Sequence, residues 1–233
     1  MPDLPKIQRD KLSNKVYSIL KDMIMDYRFN PGSRINIEEM AKQLGVSRTP
    51  VWEAVAKLER EGLVQNVPNR GVFMAVLSGE DALDLYAVRE ILEGMASRLA
   101  AVRMDDATLK NMQKCLDKQG PVCEKQDVIA YSRLDFEFHG AVYDACGNSF
   151  LKDVLTLIKN KMRPINMHIQ PILPLLYNDH IKLLQALKAH NAEDAERILV
   201  EHNRCVMDHI REELEAGRWG KAGAVDVQTV QLV

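Results

Sequence analysis

The 233-residue sequence has few cysteines and no long apolar stretch, and each shortage removes a class of protein. No apolar run approaches the ~20 residues that a helix needs to span a bilayer. The N-terminus has no hydrophobic segment of the signal-peptide kind. The four cysteines have no CxxC spacing and indicate reduced thiols rather than disulfides. These absences predict a cytoplasmic protein with no membrane partner.

The sequence also has no excess of either charge, with 31 Lys and Arg against 33 Asp and Glu. The overall balance therefore gives no sign of a nucleic-acid partner. Residues 1–76 hold 12 basic and 9 acidic side chains, and the remainder holds 19 and 24. The sign of this difference suits an N-terminal DNA-binding domain. The difference is small, although a dimer would double the number of basic contacts to phosphate.

Motifs of the common enzymes are missing as well. There is no HExxH pair, no nucleophile motif and no internal repeat, and no strand pattern follows residue 76. The length fits one large domain or two modest ones. We therefore expect a protein that is not an enzyme, with an all-helical second half.

What is present is concentrated in residues 37–75, whose pattern is helix, tight turn, helix and hairpin. Asn36 and Glu39 have the spacing of a capping box at the start of the first helix. Gly45 ends that helix, and Ser47 is a good N-cap for the second. Two helices joined by a short turn that contains glycine form a helix-turn-helix, the pattern of many DNA-binding proteins.

The apolar segments 63–67 and 72–76 follow, joined by the turn-forming residues 68–71. They predict a β-hairpin that would act as a wing. The first residues of a recognition helix contact base edges, and a wing tip can reach phosphate or a minor groove. The predicted DNA-binding residues are Ser47, Arg48, Thr49 and Trp52 of the second helix and Asn69, Arg70 and Gly71 of the hairpin. The alternative is a helical pair that serves only as a protein–protein module.

The segments LGVSRTPV, LEREGLV and PNRGVFMA occur in order and resemble the winged helix-turn-helix of GntR-family transcription regulators. In that family an arginine often stands where this chain has Trp52, and it commonly contacts the operator. Tryptophan cannot make the bidentate contact to guanine that arginine makes. Trp52 packs on a sugar or thymine methyl in one interpretation, and only covers the edge of the domain in the other.

Helical spacing predicts both a helix that backs the helix-turn-helix and an antiparallel bundle after it. The predicted fold is thus mainly α, with a small β-hairpin wing. The predicted organisation is a mobile arm at 1–10, a DNA-binding domain at 11–76, a linker at 77–79, a helical domain at 80–216 and a disordered tail at 217–233. The predicted helices are 11–27, 80–103, one from 105 or 106 to 119, 124–145, 150–162, 171–190 and 192–216.

Four side chains of the second half have the composition of a metal site. Asp135 and His139 are four residues apart on one predicted helix, so they share a face and can hold a metal between them. A surface contact between the two is the commoner explanation for such a pair. His180 and His202 lie in the middle of two later helices, and bundles build metal sites from facing helices.

Residues 80–101 resemble the opening helix of the FCD effector domain, which the FadR subfamily of GntR regulators carries. LDFEFHGAVYDACGN, NDHIKLLQAL and ILVEHN resemble the segments that supply its metal ligands. The resemblance therefore implies that Asp135, His139, His180 and His202 bind a divalent metal. Nitrogen-rich ligands favour Zn or Ni, so zinc is expected first, with Ni or Mn as alternatives.

Three histidines and one carboxylate leave coordination positions open, where a small carboxylate effector could bind. Arg89 matches a position of the FCD opening helix and is a candidate for contact with a second acidic group, as is Arg163. The competing interpretation of Arg89 is a salt bridge to Glu93 one turn later.

The resulting hypothesis is a ligand-responsive regulator that binds palindromic operator DNA as a homodimer. The alternatives are a metal-dependent hydrolase or lyase, and a constitutive DNA-binding protein with a structural metal.

Overall fold

The computed structural model describes residues 10–163 and 168–219. Within these residues the chain divides into two compact units, with the boundary between Val76 and Leu77. The predicted arm at 1–10 and the predicted tail at 217–233 lie almost wholly outside the described residues. None of the described helices combines the length and apolar character that crossing a membrane requires.

The N-terminal unit is a three-helix domain with a small antiparallel sheet. The helices are α1 (Asp10–Met25), α2 (Ile37–Gln43) and α3 (Arg48–Arg60), and the strands are β1 (Arg34–Ile35), β2 (Val64–Val67) and β3 (Gly71–Met74). The strand order is β1-β3-β2, and Gln65 pairs with Phe73. Leu20 of α1 packs with Val51, Val55 and Leu58 of α3 in one buried core. The predicted helix-turn-helix and wing are confirmed, and β1, two residues long, is an addition.

Local chemistry sets the two turns of this unit. The Asn36 side chain accepts hydrogen bonds from the backbone N–H groups of Glu38 and Glu39, at 3.1 and 3.2 Å. Gly45 has a φ of +64°, in the left-handed region that favours glycine. Ser47 occupies the N-cap position of α3 but makes no side-chain capping bond. The prediction of its place is confirmed, whereas the capping bond is absent.

The described residues of the second unit, 77–163 and 168–219, fold into a helical bundle. Its helices are α4 (Gly79–Arg103), α5 (Asp106–Glu124), α6 (Val128–Ala145), α7 (Ser149–Lys161), α8 (Leu173–Lys188) and α9 (Ala192–Glu215), with a 3-10 turn at Gln170–Ile172. The two longest, α4 and α9, pack along each other. A Cβ on Gly94 would lie only 2.9 Å from Val200 Cγ2, so glycine permits this close approach. The prediction of a mainly helical second half is confirmed.

Two predicted helix ends were wrong. α5 continues through Gly120 and Pro121 to Glu124, and α6 begins only at Val128. Gly120 serves packing rather than termination, because a Cβ there would lie 2.8 Å from the hydroxyl of Tyr177. Pro121 removes one backbone hydrogen bond, but the turn that follows buries Cys123. The change of direction comes later, at Gln126, which has a φ of +55°.

Candidate metal centre and DNA-binding surface

Three helices bring the four predicted ligands together. Asp135 and His139 lie one turn apart on α6, His180 is on α8 and His202 is on α9. One ligand atom from each lies within 4.8 Å of the others. The three imidazoles are buried. This arrangement excludes the alternative of a surface contact between Asp135 and His139.

The closest approaches join ring nitrogens and one carboxylate oxygen. His139 Nε2 lies 3.4 Å and His180 Nε2 lies 3.5 Å from Asp135 Oδ1. The two Nε2 atoms are 3.2 Å apart. Phe138 stacks on the ring of His180 with centroids 4.4 Å apart, which restricts the rotation of that imidazole.

Asp135, His180 and His202 have the charge states that a metal requires. Burial raises the pKa of Asp135, but nearby Lys159 and His139 outweigh it and hold that pKa well below its usual range. Burial lowers the pKa of His180 well below its ordinary value, and lowers that of His202 as well. The site thus offers an ionised carboxylate with neutral imidazoles of His180 and His202, the protonation states in which these groups bind a metal. The residues present fit a divalent ion of the Zn or Ni kind.

Lys159, on α7, is a site residue that sequence reasoning missed. Its Nζ lies 2.9 Å from Asp135 Oδ2 and donates to the backbone carbonyl of the same residue at 3.0 Å. Burial lowers the pKa of Lys159 to about 8, although Asp135 opposes the shift. Its position five residues before Pro164, in a segment ending in Lys159, Lys161 and Arg163, gave no signal that this lysine would face inward.

A small cavity of about 20 Å³ adjoins the cluster. Arg89, Asp135, Lys159 and His202 line its polar side, and apolar side chains such as Leu176 line the rest. A space of this size holds about one water molecule. Arg163 is buried but is not among the lining residues. Its role at the effector site remains a prediction.

A second layer of polar side chains surrounds the four predicted ligands, and the sequence did not predict it as part of the site. Glu93 of α4 is fully buried and accepts from Asn203 Nδ2 at 2.7 Å and from the Tyr143 hydroxyl. Its Oε1 lies 2.8 Å from His139 Nδ1. Gln119 of α5, also fully buried, places its Oε1 2.8 Å from His180 Nδ1. Of these two residues, the sequence had singled out only Glu93, as a possible salt-bridge partner of Arg89.

The predicted DNA-binding residues lie on the surface of the N-terminal unit. Arg48 is exposed at the start of α3 and forms an ion pair with Glu38 of α2. Trp52 is 41% exposed one turn later. Ser47, Thr49, Asn69 and Arg70 are exposed as well.

The start of α3 and the wing face one concavity of about 180 Å³, which Arg48, Trp52 and Gly71 help to line. Arg34 of β1, missed by sequence reasoning, also lines it. A Cβ on Gly71 would lie 3.1 Å from Arg34 Nε, and the φ of Gly71 is +105°. Glycine at this position therefore lets the Arg34 guanidinium lie against the wing.

Comparison with known proteins places these two units in a family. Residues 12–74 match the model described as bacterial regulatory proteins, gntR family, and residues 84–204 match the FCD domain. The chain belongs to the GntR family of bacterial transcription regulators. Its FCD domain places it with the FadR-like subfamily, as the sequence motifs predicted.

Relatives of this GntR regulator are similar over most of its length. The Nta operon transcriptional regulator of Aminobacter aminovorans is 31% identical over 82% of this chain and 90% of the relative. YdhC of Bacillus subtilis, an HTH-type transcriptional regulator, is 29% identical over 87% and 92%. A GntR regulator structure from Rhodococcus sp. RHA1 has a TM-score of 0.75 at 26% identity, covering 87% of this chain and 98% of that one. E. coli McbR/YncC has a TM-score of 0.76 at 24% identity, with the same coverage.

Proposed function

We propose that this GntR regulator binds operator DNA as a homodimer in the cytoplasm and responds to a small carboxylate effector at a metal centre in its helical unit. The observation that carries the proposal is the convergence of Asp135, His139, His180 and His202 beside a cavity. The cluster supports a metal centre, and a response to an effector is what would distinguish a sensor from a constitutive DNA-binding protein with a structural metal.

The DNA contacts would come from the start of α3 and from the wing. Arg48 suits guanine or phosphate, and Thr49 suits phosphate or a thymine methyl. Arg48 would exchange its exposed partner Glu38 for the DNA, an exchange with a small cost because exposed ion pairs contribute little. Arg70 at the wing tip would contact phosphate or the minor groove.

An apolar face on α4 supports the homodimer. Val88, Ile91, Met95 and Val102 are all at least 47% exposed and follow helical spacing. α7, which packs against α4, exposes Phe150 by 82%. Such a face is unusual on a monomer, and a twofold axis would pair it with its own copy. A dimer would place two recognition helices in successive major grooves of a palindrome.

The helical unit would hold the divalent ion through Asp135 and the three histidines. Zinc is the expected ion, and Ni or Mn are alternatives. Once bound, the ion supplies an electrophilic point for a carboxylate oxygen. Arg89 and Lys159 are positive and Glu93 and Asp135 are negative, so these four buried charges cancel. A divalent ion would leave the site positive, which favours an anionic effector.

The DNA half of the proposal is tested by fluorescence anisotropy with operator fragments selected from a random pool. We expect specific binding that weakens with salt. Arg48→Ala should lower the affinity, and it should reduce the slope of log affinity against log salt concentration by about one. Arg197→Ala, in the exposed part of α9, is the matched control and should change neither. Absence of any preferred sequence would refute DNA recognition.

The effector half is tested by thermal shift of the zinc-loaded protein with a panel of small carboxylic acids. A ligand should raise Tm in a dose-dependent manner and change the operator affinity. His202→Ala should abolish the rise in Tm. A protein that binds its operator but responds to no acid would be a constitutive DNA-binding protein with a structural metal.

A further inference from the structure

A carboxylate contacts Nδ1 of the His139 imidazole, the ring nitrogen that does not face Asp135. This Nδ1 lies 2.8 Å from Glu93 Oε1, whereas Arg89 Nη2 lies 3.4 Å away. Glu93 Oε1 also accepts from an Arg89 guanidinium nitrogen at 2.9 Å and from the Tyr143 hydroxyl, and its Oε2 accepts from Asn203 Nδ2 at 2.7 Å. Surrounded by these three donors, the carboxylate acts as a hydrogen-bond acceptor. The proton between these two groups therefore belongs to His139 Nδ1.

A side chain of α5 contacts Nδ1 of His180 in the same way. Gln119 of α5 places its amide oxygen 2.8 Å from His180 Nδ1, and both side chains are fully buried. An amide oxygen accepts a hydrogen bond, so the proton again lies on Nδ1. Phe138 stacks on the same ring and prevents it from turning away.

In the neutral Nδ1–H tautomers, the two Nε2 atoms present lone pairs to each other at 3.2 Å and to Asp135 Oδ1 at 3.4 and 3.5 Å. No ring hydrogen then lies between these three acceptors, and a bound cation would relieve their repulsion. We infer that Glu93 and Gln119 are positioning residues, which fix His139 and His180 as Nδ1–H tautomers and so preorganise the metal centre. This inference rests on the proposed metal centre.

The third histidine is held less firmly. His202 Nδ1 lies 3.7 Å from Asp179 Oδ2, beyond hydrogen-bond distance, and His202 also lines the cavity. The Nδ1 atoms of His139 and His180 thus each have a close acceptor, while Nδ1 of His202 has no hydrogen-bond partner among the described residues. The same structure therefore provides a comparison between histidines with and without a close outer partner.

Long-range 1H–15N NMR of the histidine rings in metal-free protein reads the tautomers directly. Signals are assigned with His139→Gln and His180→Gln. We expect both residues to carry the proton on Nδ1, with Nε2 unprotonated. An Nε2–H tautomer at either residue would overturn the inference for its partner, Glu93 or Gln119.

Gln119 can be varied without introducing a large change of size. Gln119→Met removes the acceptor and should weaken Co²⁺ binding by about 10- to 100-fold, with loss of the fixed His180 tautomer. Gln119→Glu keeps an acceptor at the same place and should retain the Nδ1–H tautomer. Gln113→Met, on the same helix but outside the site, is the matched control, and urea unfolding checks that each variant is folded.

Glu93 is examined in the same way. Glu93→Ala should weaken Co²⁺ binding, change its ligand-field absorption and release the His139 tautomer. Unchanged Co²⁺ affinity and unchanged tautomers in both Glu93→Ala and Gln119→Met would refute the positioning role. If the wild-type protein bound neither Zn²⁺ nor Co²⁺, the metal centre itself would fail, whereas the NMR result would still decide the tautomers.

Discussion

Arg89 donates through one guanidinium nitrogen to Glu93 Oε1 at 2.9 Å, one helical turn further along α4, and both side chains are buried. The sequence left open whether Arg89 pairs with Glu93 or contacts an effector. The structure contains the pair, and Arg89 also lines the cavity. The two roles are compatible because a guanidinium has five donors in a planar fork.

Removing one member of this buried pair should be costly. Burial lowers the pKa of Arg89, but Glu93 outweighs it and raises that pKa well above its usual range, so the two charges stabilise each other. Arg89→Met should lower the free energy of unfolding by about 3 kcal/mol, as measured in urea, because it leaves Glu93 undercompensated.

The matched control is Arg98→Met. Arg98 pairs with Glu196 at 2.8 Å, but both side chains are about half exposed, so the loss should be much smaller than for Arg89→Met. The double variant Arg89→Met with Glu93→Gln should recover part of the stability. Equal losses for Arg89→Met and Arg98→Met would contradict the buried ion pair.

Metal removal should destabilise the helical unit. An ion present at 100 times its Kd stabilises the folded state by about 2.7 kcal/mol, so a chelator should lower Tm and added Zn²⁺ should restore it. His180→Ala should have a Tm that is insensitive to chelator, since it lacks one of the four converging ligands. A wild-type Tm that does not change with chelator would argue against a bound ion.

The sequence predicted both the wing and the four side chains that the structure brings together, because each prediction depends on short-range spacing or on rare residue types. Asp135 and His139 share a face of any helix that contains both. Histidine is uncommon, so His180 and His202 stood out in the middle of their helices. The resemblance to FCD segments then separated these four from His168, His190 and His209.

The residues that surround the four predicted ligands could not be predicted from spacing or from rare residue types. Gln119 and Lys159 belong to residue types that are usually exposed, and their inward position depends on how α5 and α7 pack. The end of α5 was wrong for a related reason. Gly120 and Pro121 resemble a stop signal, but tertiary contacts with Tyr177 and burial of Cys123 outweigh local preference.

The proposed dimer face on α4 gives a direct test of the oligomeric state. Ile91 is 71% exposed in the chain, so Ile91→Glu should not harm the monomer fold. Buried in an interface, the added charge would be expensive and should shift the protein toward monomers in sedimentation velocity, with weaker operator binding. Leu175→Glu, at an exposed position of α8, is the control. A wild-type protein that sediments as a monomer would contradict the proposal.

Trp52 should determine which operator this protein prefers. It is 41% exposed one turn after Arg48 and lines the concavity between α3 and the wing. Arginine can contact guanine through two hydrogen bonds, a discrimination of about 1–3 kcal/mol against the wrong base, and tryptophan cannot.

Selection of binding sites from a random pool should therefore give different consensus sequences for the wild type and Trp52→Arg, with guanine gained at one position in each half-site. Trp52→Ala distinguishes the two interpretations of this residue. If Trp52 packs on a sugar or a thymine methyl, Trp52→Ala should weaken binding with little change in stability. If it only covers the edge of the domain, the variant should lose stability and keep the same consensus and affinity. An unchanged consensus for Trp52→Arg would show that this position does not contribute to base recognition.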